Sequence, residues 1–306
     1  MNKLFGLFLL AIAFLAPVPA DAACAGGNCF WIGGTGTVDG TSDNGHWATS
    51  SGGASCACVP NTTDTVTFDG SSGTGTVTIN MGGALWTTGA FSMSAAASLT
   101  IEFSTNNNSW LSAAGGFSAS GASTKTLNMG SGTFTIQSAS ANWDTSGSGL
   151  TLNAGTSTIS FTATTGTGGR RFFTGNKTYA TVSVAGNATN NFYITSSGNP
   201  TIGTLTIAAP NTVHFTGGIT YTVTTFTNIV GTSSTAVLFD NEAPLNGRAI
   251  ISSANNWSCT WCGFTQMQFQ GGGSFSAPSS FAFANISGIS PSPPSAGGGG
   301  GRIIGG

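Results

Sequence analysis

The sequence predicts an all-β fold, a parallel β-helix (β-solenoid) in which similar short strands stack turn upon turn. Short runs alternate Thr or Ser with one large apolar residue, which is the period of a strand with one buried face. Runs of this kind recur at 22, 25 and 23 residues, from Val77 to Leu99, Leu127 to Leu152 and Val182 to Leu205, and the segment 126–136 returns in the same order as 151–161. Charged residues, which normally cover helices, make up only 5% of the chain.

Residues 1–22 are predicted to be an export signal. Lys3 precedes an apolar run at 4–15, and the small residues Ala20 and Ala22 form a cleavage site before Ala23. The run is too short to span a bilayer comfortably, so no membrane span is expected once the signal is removed. The mature chain is expected to be secreted or held on a cell surface, or on a virion if a phage encodes it.

The segment 23–64 is predicted to form an N-terminal cap. It carries four cysteines, Gly-rich turns and two tryptophans, Trp31 and Trp47. A solenoid needs a terminal unit that covers the open end of its core and its exposed strand edge. We expect the two indoles to plug that end.

The segment 65–285 is predicted to be the parallel β-helix itself. Its runs are four to six residues long and are bounded by Gly, Asn or Ser, as strands are. An antiparallel sandwich would also show short alternating strands. The coil is favoured because similar strands recur at the spacing of a whole turn, and because Asn128 and Asn153 recur at equivalent points, where stacked amides can form a ladder.

The segment 286–306 is predicted to be a flexible Pro/Gly-rich tail, disordered because it can bury little surface. The alternative is that its end, Ile303 and Ile304, docks into another virion or surface protein. The neutral surface of the remaining chain disfavours nucleic acid as a partner, since phosphates are bound by Lys and Arg. A cell-surface glycan is the other partner expected, and a homotrimer is the assembly considered.

Six cysteines in an exported chain are expected to form disulfides: Cys24, Cys29, Cys56, Cys58, Cys259 and Cys262. A direct link between Cys56 and Cys58 would be strained, so each is expected to pair with Cys24 or Cys29. The alternative is a four-cysteine zinc site, for which the Cys-x-Cys spacing is a poor match. Cys259 and Cys262 are expected to form a local link.

Catalytic groups are scarce, and Asp240 and Glu242 are the weak candidates. At i and i+2 on one strand face they would lie about 7 Å apart, which overlaps the separation of an inverting glycosidase pair. Asn241 and Pro244 favour a turn there instead. The chain shows none of the common nucleophile, phosphate or dinucleotide motifs in a strand-then-helix context.

Ligand-binding residues are predicted in two groups. Arg170 and Arg171, with Lys177 close by, form a basic cluster that could hold a carboxylate or phosphate, although a solvated turn explains it as well. Among the seven tryptophans, Trp257 and Trp261 are the candidates for stacking on a sugar ring.

A Gly-rich loop contains Asp39 and Asp43, which supply oxygen ligands of the kind that calcium prefers. The loop lacks the closing bidentate Glu, so a polar turn is the expected structure. No cofactor is predicted apart from calcium at this loop.

Three segments carry a resemblance: 30–37 with Trp47, 173–179, and 204–226. Together they resemble a largely uncharacterised group of β-solenoid proteins of tailed phages, prophages and bacterial surfaces. The resemblance implies a right-handed parallel β-helix of the pectin-lyase-like shape, and no catalytic residue carries over. We therefore expect a non-enzymatic structural or adhesive solenoid that binds host-surface glycans, with a polysaccharide lyase or glycoside hydrolase (depolymerase) as the alternative.

Overall fold

The computed structural model describes residues 22–40, 45–96, 98–227, 229–242 and 247–291. Most of the predicted signal and tail, and Asp43, lie outside these residues. Within the described residues, the chain forms two single-turn 3-10 helices, at Ala25–Gly27 and Gly70–Ser72.

The described residues otherwise form short strands, in chain order: β1 (Ala22–Ala23), β2 (Asn28–Trp31), β3 (Gly36–Val38), β4 (Trp47–Ala48), β5 (Cys58–Val59), β6 (Thr65–Thr67), β7 (Gly75–Ile79), β8 (Trp86–Ser92), β9 (Leu99–Glu102), β10 (Trp110–Ser118), β11 (Lys125–Asn128), β12 (Thr133–Ile136), β13 (Asn142–Asp144), β14 (Leu150–Asn153), β15 (Thr158–Phe161), β16 (Arg170–Phe173), β17 (Thr178–Val184), β18 (Phe192–Thr195), β19 (Thr201–Ile207), β20 (Asn211–Phe215), β21 (Thr220–Thr227), β22 (Val237–Asn241), β23 (Ala249–Ser252), β24 (Trp257–Ser258), β25 (Cys262–Thr265), β26 (Met267–Gln270), β27 (Phe275–Ala277), β28 (Phe281–Ala284) and β29 (Ser290–Pro291).

The strands form a parallel β-solenoid with three sheets along its length, as the sequence predicts. Sheet A contains β2, β6, the second halves of β8 and β10, β13, β16, β18, β20, β22, β25 and β28. Sheet B begins with β3, β7, β9, β11 and β14. Sheet C begins with the first halves of β8 and β10, followed by β12 and β15.

Each full turn visits sheets B, C and A in that order, as β11, β12 and β13 do. The strands β17, β19 and β21 are long enough to bend round a corner and contribute to two sheets. Eight such turns separate β6 from β25 along sheet A. The coil therefore advances by one strand spacing per turn, about 4.8 Å.

The predicted 25-residue repeat is confirmed, because residues 25 apart in the chain pair on adjacent strands. Leu127 pairs with Leu152 in sheet B, and Phe134 pairs with Ile159 in sheet C. The predicted amide ladder is also confirmed, because Asn153 Nδ2 donates to Asn128 Oδ1 at 2.7 Å.

The core is a column of apolar side chains that point inward from all three sheets. Along sheet A, the ring centroid of Phe117 lies 5.2 Å from that of Phe91 and 4.3 Å from that of Trp143, and both pairs are stacked. These residues occupy the same register position on successive turns. Alternation along each strand thus becomes a continuous aromatic stack once the strands pair in parallel.

At the N-terminal end, Trp31 and Trp47 are buried and meet edge to face at 5.0 Å. Their strands, β2 and β4, form an antiparallel pair, and β2 also pairs in parallel with β6. The cap is therefore continuous with the first turn of the coil. At the other end, a bridge at Ser287 and strand β29 extend the pairing beyond residue 285.

The structure corrects one disulfide prediction. Cys24 is linked to Cys29 and Cys56 to Cys58, whereas the sequence favoured links between the two pairs. Ala57 adopts a left-handed conformation with φ 49°, which turns the chain so that the Cα atoms of its neighbours lie 5.2 Å apart. The local link between Cys259 and Cys262 is as predicted.

Candidate functional site

Ionisable side chains gather on the outer surface of sheet A. Arg171, Tyr193, His214 and Asp240 occupy one register position on four successive strands, β16, β18, β20 and β22. They face outward because the residues that alternate with them point into the core. We call these four residues, with Thr195 and Glu242, the charged ladder.

Aromatic stacking links the members of the charged ladder. The guanidinium carbon of Arg171 lies 4.2 Å from the ring centroid of Tyr193. On the next turn His214 stacks on Tyr193 at 4.7 Å and 17°. His214 Nδ1 in turn lies 3.4 Å from Asp240 Oδ2. The ring of Tyr193 therefore lies between Arg171 on the preceding turn and His214 on the following turn.

Glu242 closes the charged ladder across three turns. Its Oε1 accepts a hydrogen bond from Arg171 Nη1 at 2.6 Å, and its Oε2 accepts one from Thr195 Oγ1 at 3.1 Å. The side chains of Arg171 and Glu242 are 36% and 24% exposed, so this ion pair is partly shielded from water. Both carboxylate oxygens of Glu242 are thus engaged by the protein.

His214 is held in an environment that favours its neutral form. Burial lowers the pKa of His214 below its ordinary value, and the positive charge of Arg171 adds to this effect. The carboxylates of Asp240 and Glu242 act in the opposite direction but do not reverse it. His214 Nε2 is buried without a hydrogen-bond partner.

The predicted catalytic pair lies within this cluster, but its two members have different surroundings. Asp240 faces His214, whereas Glu242 is bound by Arg171 and Thr195. Hydrolysis by a carboxylate pair needs one protonated acid and one free base on either side of the scissile bond. With Glu242 in this ion pair, the cluster resembles a bracing network more than such an acid and base.

A shallow depression of about 240 Å³ adjoins the charged ladder. Gly169, Thr189, Asn190 and Asn191 line it, with Arg171 and Tyr193 on one side. Glycine at 169 leaves room for the ring, since a Cβ there would lie 3.2 Å from Tyr193 Cε2. The lining offers amide, hydroxyl and aromatic-edge groups, which suit an uncharged hydroxylated ligand.

Arg170 lies inside the coil rather than in a surface turn. It is completely buried, and its guanidinium donates to the carbonyl oxygens of Ala163 and Ala185 and to Asn211 Oδ1. Burial lowers the pKa of Arg170 to about 10. The side chain of Arg170 therefore points into the coil and that of Arg171 points outward, as alternation along a strand requires.

Lys177 also contacts the scaffold, because its Nζ donates to Leu150 O at 2.5 Å. Burial lowers its pKa. The predicted basic cluster is thus divided among three places, and Arg171 is the member that faces the depression.

The seven tryptophans divide in the same way. Six are at most 6% exposed, and they include Trp257, which stacks on Phe226 at 4.4 Å. Trp261 is half-buried, and its ring centroid lies 6.3 Å from that of Phe281, which is 41% exposed. Of the two predicted sugar platforms, Trp261 is therefore the less buried.

Asp39 is half-buried, and Asp43 lies outside the described residues, so the calcium prediction has no geometry to report. No helix of the described chain is long and apolar enough to cross a membrane. The three disulfides are consistent with a location outside the cytoplasm.

Sequence reasoning missed Tyr193 and His214 as parts of a site. His214 is remote from every other candidate along the chain, and its partner Tyr193 sits 21 residues earlier. An alignment of the strand sequences around Phe172, Ile194 and Phe215 would have placed Arg171, Tyr193 and His214 in one column.

Comparisons with protein-family models, with curated proteins and with solved structures found no match to this chain.

Proposed function

We propose that this chain is an exported, non-enzymatic structural and adhesive β-solenoid that binds a saccharide on the outer face of sheet A. The observation that carries the proposal is that the charged side chains of the described residues form bonds within the protein itself. Each cation among the described residues is engaged by the protein itself: Lys125, Arg170, Arg171, Lys177 and Arg248.

Lys125 illustrates this use of charge. It is buried, and its Nζ donates to three carbonyl oxygens, those of Ser94, Gly121 and Ser123. Burial lowers the pKa of Lys125. A cation in this position satisfies the carbonyls of two turns, so it contributes to the scaffold and has no donor left for a substrate.

Glu102 is a carboxylate used in the same way. Burial alone would raise the pKa of Glu102, but hydrogen bonds from Ser104, Asn128 and Thr105 lower it below its ordinary value. Its charge is therefore stabilised by the turn and by the adjacent amide ladder. Such a group braces neighbouring turns and is poorly suited to proton transfer.

The remaining surface consists mainly of Thr, Ser and Asn side chains on the outer faces of the strands. Hydroxyl and amide groups pair with sugar hydroxyls without the cost of desolvating a charge. Disulfides at both ends of the coil support a protein that works outside the cell. The placement on a cell surface or on a virion is part of this proposal.

A depolymerase is the second candidate, because Asp240 and His214 are in contact at 3.4 Å within the charged ladder. A carboxylate beside an imidazole is a common acid-base arrangement. For such an activity, a substrate would have to displace Glu242 from Arg171, or Asp240 and His214 would have to serve as the acid and base.

The test is a glycan array and a depolymerisation assay with the purified mature protein. We expect binding to one class of polysaccharide with no release of shorter chains. Release of products by the natural protein that is lost in Asp240→Asn would establish the depolymerase instead. Absence of binding to every glycan, and to cells or virions of the source, would refute adhesion.

A further inference from the structure

The depression beside Tyr193 is not isolated. A second depression, of about 200 Å³, shares Asn190 and Asn191 with it and continues past Thr212 to Ala236 and Leu238. Together they form one groove that follows the axis of the rod. The groove lies where each turn passes from sheet C into sheet A.

Strand register places four of the lining residues in one column. Gly169, Asn191, Thr212 and Leu238 occupy one outward position on successive turns, since Arg170 pairs with Phe192, Phe192 with Val213 and Thr212 with Leu238. Each turn adds about 4.8 Å along the axis. The column is parallel to the charged ladder and two residues away from it along each strand.

Trp261 lies on the turn next to the end of this groove, opposite the lining residue Ala236. Val237 pairs with Cys262, so Ala236 and Trp261 are neighbours on adjacent turns, and Val237 N donates to Trp261 O at 3.3 Å. From Gly169 to Leu238 the groove crosses three turns, or roughly 14 Å, and Trp261 lies on the turn that follows. That length exceeds the length of a single sugar ring.

The backbone around Trp261 is constrained by the fold. Its backbone is left-handed, with φ 55°, a conformation that is costly for a bulky residue. The disulfide between Cys259 and Cys262 encloses it, and Trp261 N donates to Pro278 O at 3.2 Å. The other six tryptophans are buried in the core, so Trp261, which is half-buried, is the least buried of the seven.

The lining of the groove has no unpaired charge. Arg171 is the one charged residue that lines either depression, and its charge is paired with Glu242. A polyanion would find no further cation in the lining, and a polycation would find no carboxylate there. Amides, hydroxyls and small residues remain, with Tyr193 near one end, and Trp261 lies on the turn beyond the other end.

We infer that this groove binds a linear, uncharged polysaccharide lengthwise, with a sugar ring on Trp261 and sugar hydroxyls on Asn191 and Thr189. The inference rests on the proposed adhesive function and adds the ligand class and its orientation. A chain laid along the rod contacts several turns at once, so its affinity must rise with its length.

The experiment measures binding of the mature full-length protein to linear neutral oligosaccharides of two, four and six sugars by calorimetry. The probes are β-1,4-glucan, β-1,3-glucan and mannan fragments, with alginate and heparin fragments as anionic arms. We expect one neutral series to bind, with affinity rising roughly tenfold or more from two to six sugars. Trp261→Ala and Asn191→Ala should each weaken hexamer binding roughly tenfold, as expected for loss of a buried aromatic or hydrogen-bonded contact.

Matched controls separate the groove from the rest of the surface. Leu85→Ala removes an apolar side chain that is 49% exposed elsewhere, and Thr151→Ala removes an exposed hydroxyl on sheet B. Neither should change hexamer binding. Trp261→Phe keeps a ring in place and should retain part of the affinity, which distinguishes lost stacking from a disturbed fold.

Hexamer binding that is unchanged in both groove variants would overturn the groove while leaving adhesion intact. Preference for the anionic fragments, abolished by salt, would overturn the uncharged ligand class. Failure of every fragment and of every array glycan to bind would remove both the groove and the proposed function.

Discussion

Arg171 Nη1 and Glu242 Oε1 lie 2.6 Å apart although 71 residues separate them in the chain. The contact crosses three turns of sheet A and passes over Tyr193 and Thr195, which also contact one or other partner. It ties together the region between β16 and β22, where the groove and the charged ladder lie.

Loss of this ion pair should weaken the coil moderately. In a double-mutant cycle of Arg171→Met and Glu242→Gln, we expect a coupling of about 1 kcal/mol, since both side chains are partly exposed. The measurement is chemical denaturation at low and high salt. Arg248→Met is the control, because its partners Asn285 and Ser287 are uncharged. A coupling energy near zero would mean that the ion pair does not contribute to the free energy of unfolding.

Substitution of the buried Arg170 should be more damaging than that of its partly exposed neighbour Arg171. Arg170→Met leaves the carbonyl of Ala163 and the amide oxygen of Asn211 without this donor, for an expected loss of about 2 kcal/mol. Arg170→Lys should recover little, because an ammonium lacks the planar fork. The measurement is the midpoint of guanidinium unfolding. Stability equal to the natural protein would show that the cost of burying the charge cancels its hydrogen bonds.

The aromatic stack of sheet A should dominate stability. Phe117→Ala removes a buried ring between Phe91 and Trp143 and leaves a cavity, with an expected cost of about 3 to 5 kcal/mol. Thr151→Ala, an exposed change on β14, should alter the unfolding free energy by no more than about 0.5 kcal/mol. Similar effects of the two changes in denaturant unfolding would contradict the inward stack.

Acid should destabilise the protein through His214. The folded-state pKa of His214 is lowered, mainly by burial, so the unfolded chain takes up this proton at a higher pH. The contribution is fully present above about pH 6.5 and is lost as the pH falls toward the lower folded-state pKa. Glu102, whose pKa is also lowered, contributes a separate loss below pH 4.5.

Thermal unfolding across pH 4 to 8 tests this prediction. In His214→Gln the loss just below pH 6.5 should disappear, while the loss at lower pH remains. Asp240→Asn removes a carboxylate that raises the pKa of His214, so its loss should extend to lower pH. A profile of His214→Gln identical to that of the natural protein would rule His214 out as the group responsible.

Peptide mapping without reduction should recover three local disulfides: Cys24 with Cys29, Cys56 with Cys58, and Cys259 with Cys262. The sulfurs of Cys24 and Cys58 lie 3.2 Å apart, so the first two disulfides are neighbours. Rapid alkylation at low pH is needed to prevent exchange between them. A peptide that joins Cys24 or Cys29 to Cys56 or Cys58 would contradict this pairing.

Several elements were predictable because they depend on local pattern. The alternation at 126–136 and its return at 151–161 predict strands one turn apart, and the pairing of Leu127 with Leu152 follows from that spacing. The ladder between Asn128 and Asn153 could be predicted for the same reason. When a repeat recurs at a constant interval, the interval itself indicates which residues pair on adjacent turns.

The candidate site was less predictable because turns of unequal length hide its columns. Phe117, Trp143, Phe172 and Ile194 are separated by 26, 29 and 22 residues, so no fixed period aligns their outward neighbours. The cysteine pairing likewise depended on one backbone angle, at Ala57, that composition does not reveal.

The sequence by itself determined that the chain is a solenoid of short parallel strands with an apolar interior, since period and alternation decide which face is buried. It also determined the scarcity of charge. Tertiary structure alone decided where the few charges lie: Arg170 inward and Arg171 outward, with Tyr193, His214, Asp240 and Glu242 in reach of one another. The physical reason is that these contacts join residues on different turns, and parallel stacking brings them together only after the lengths of all intervening loops are set.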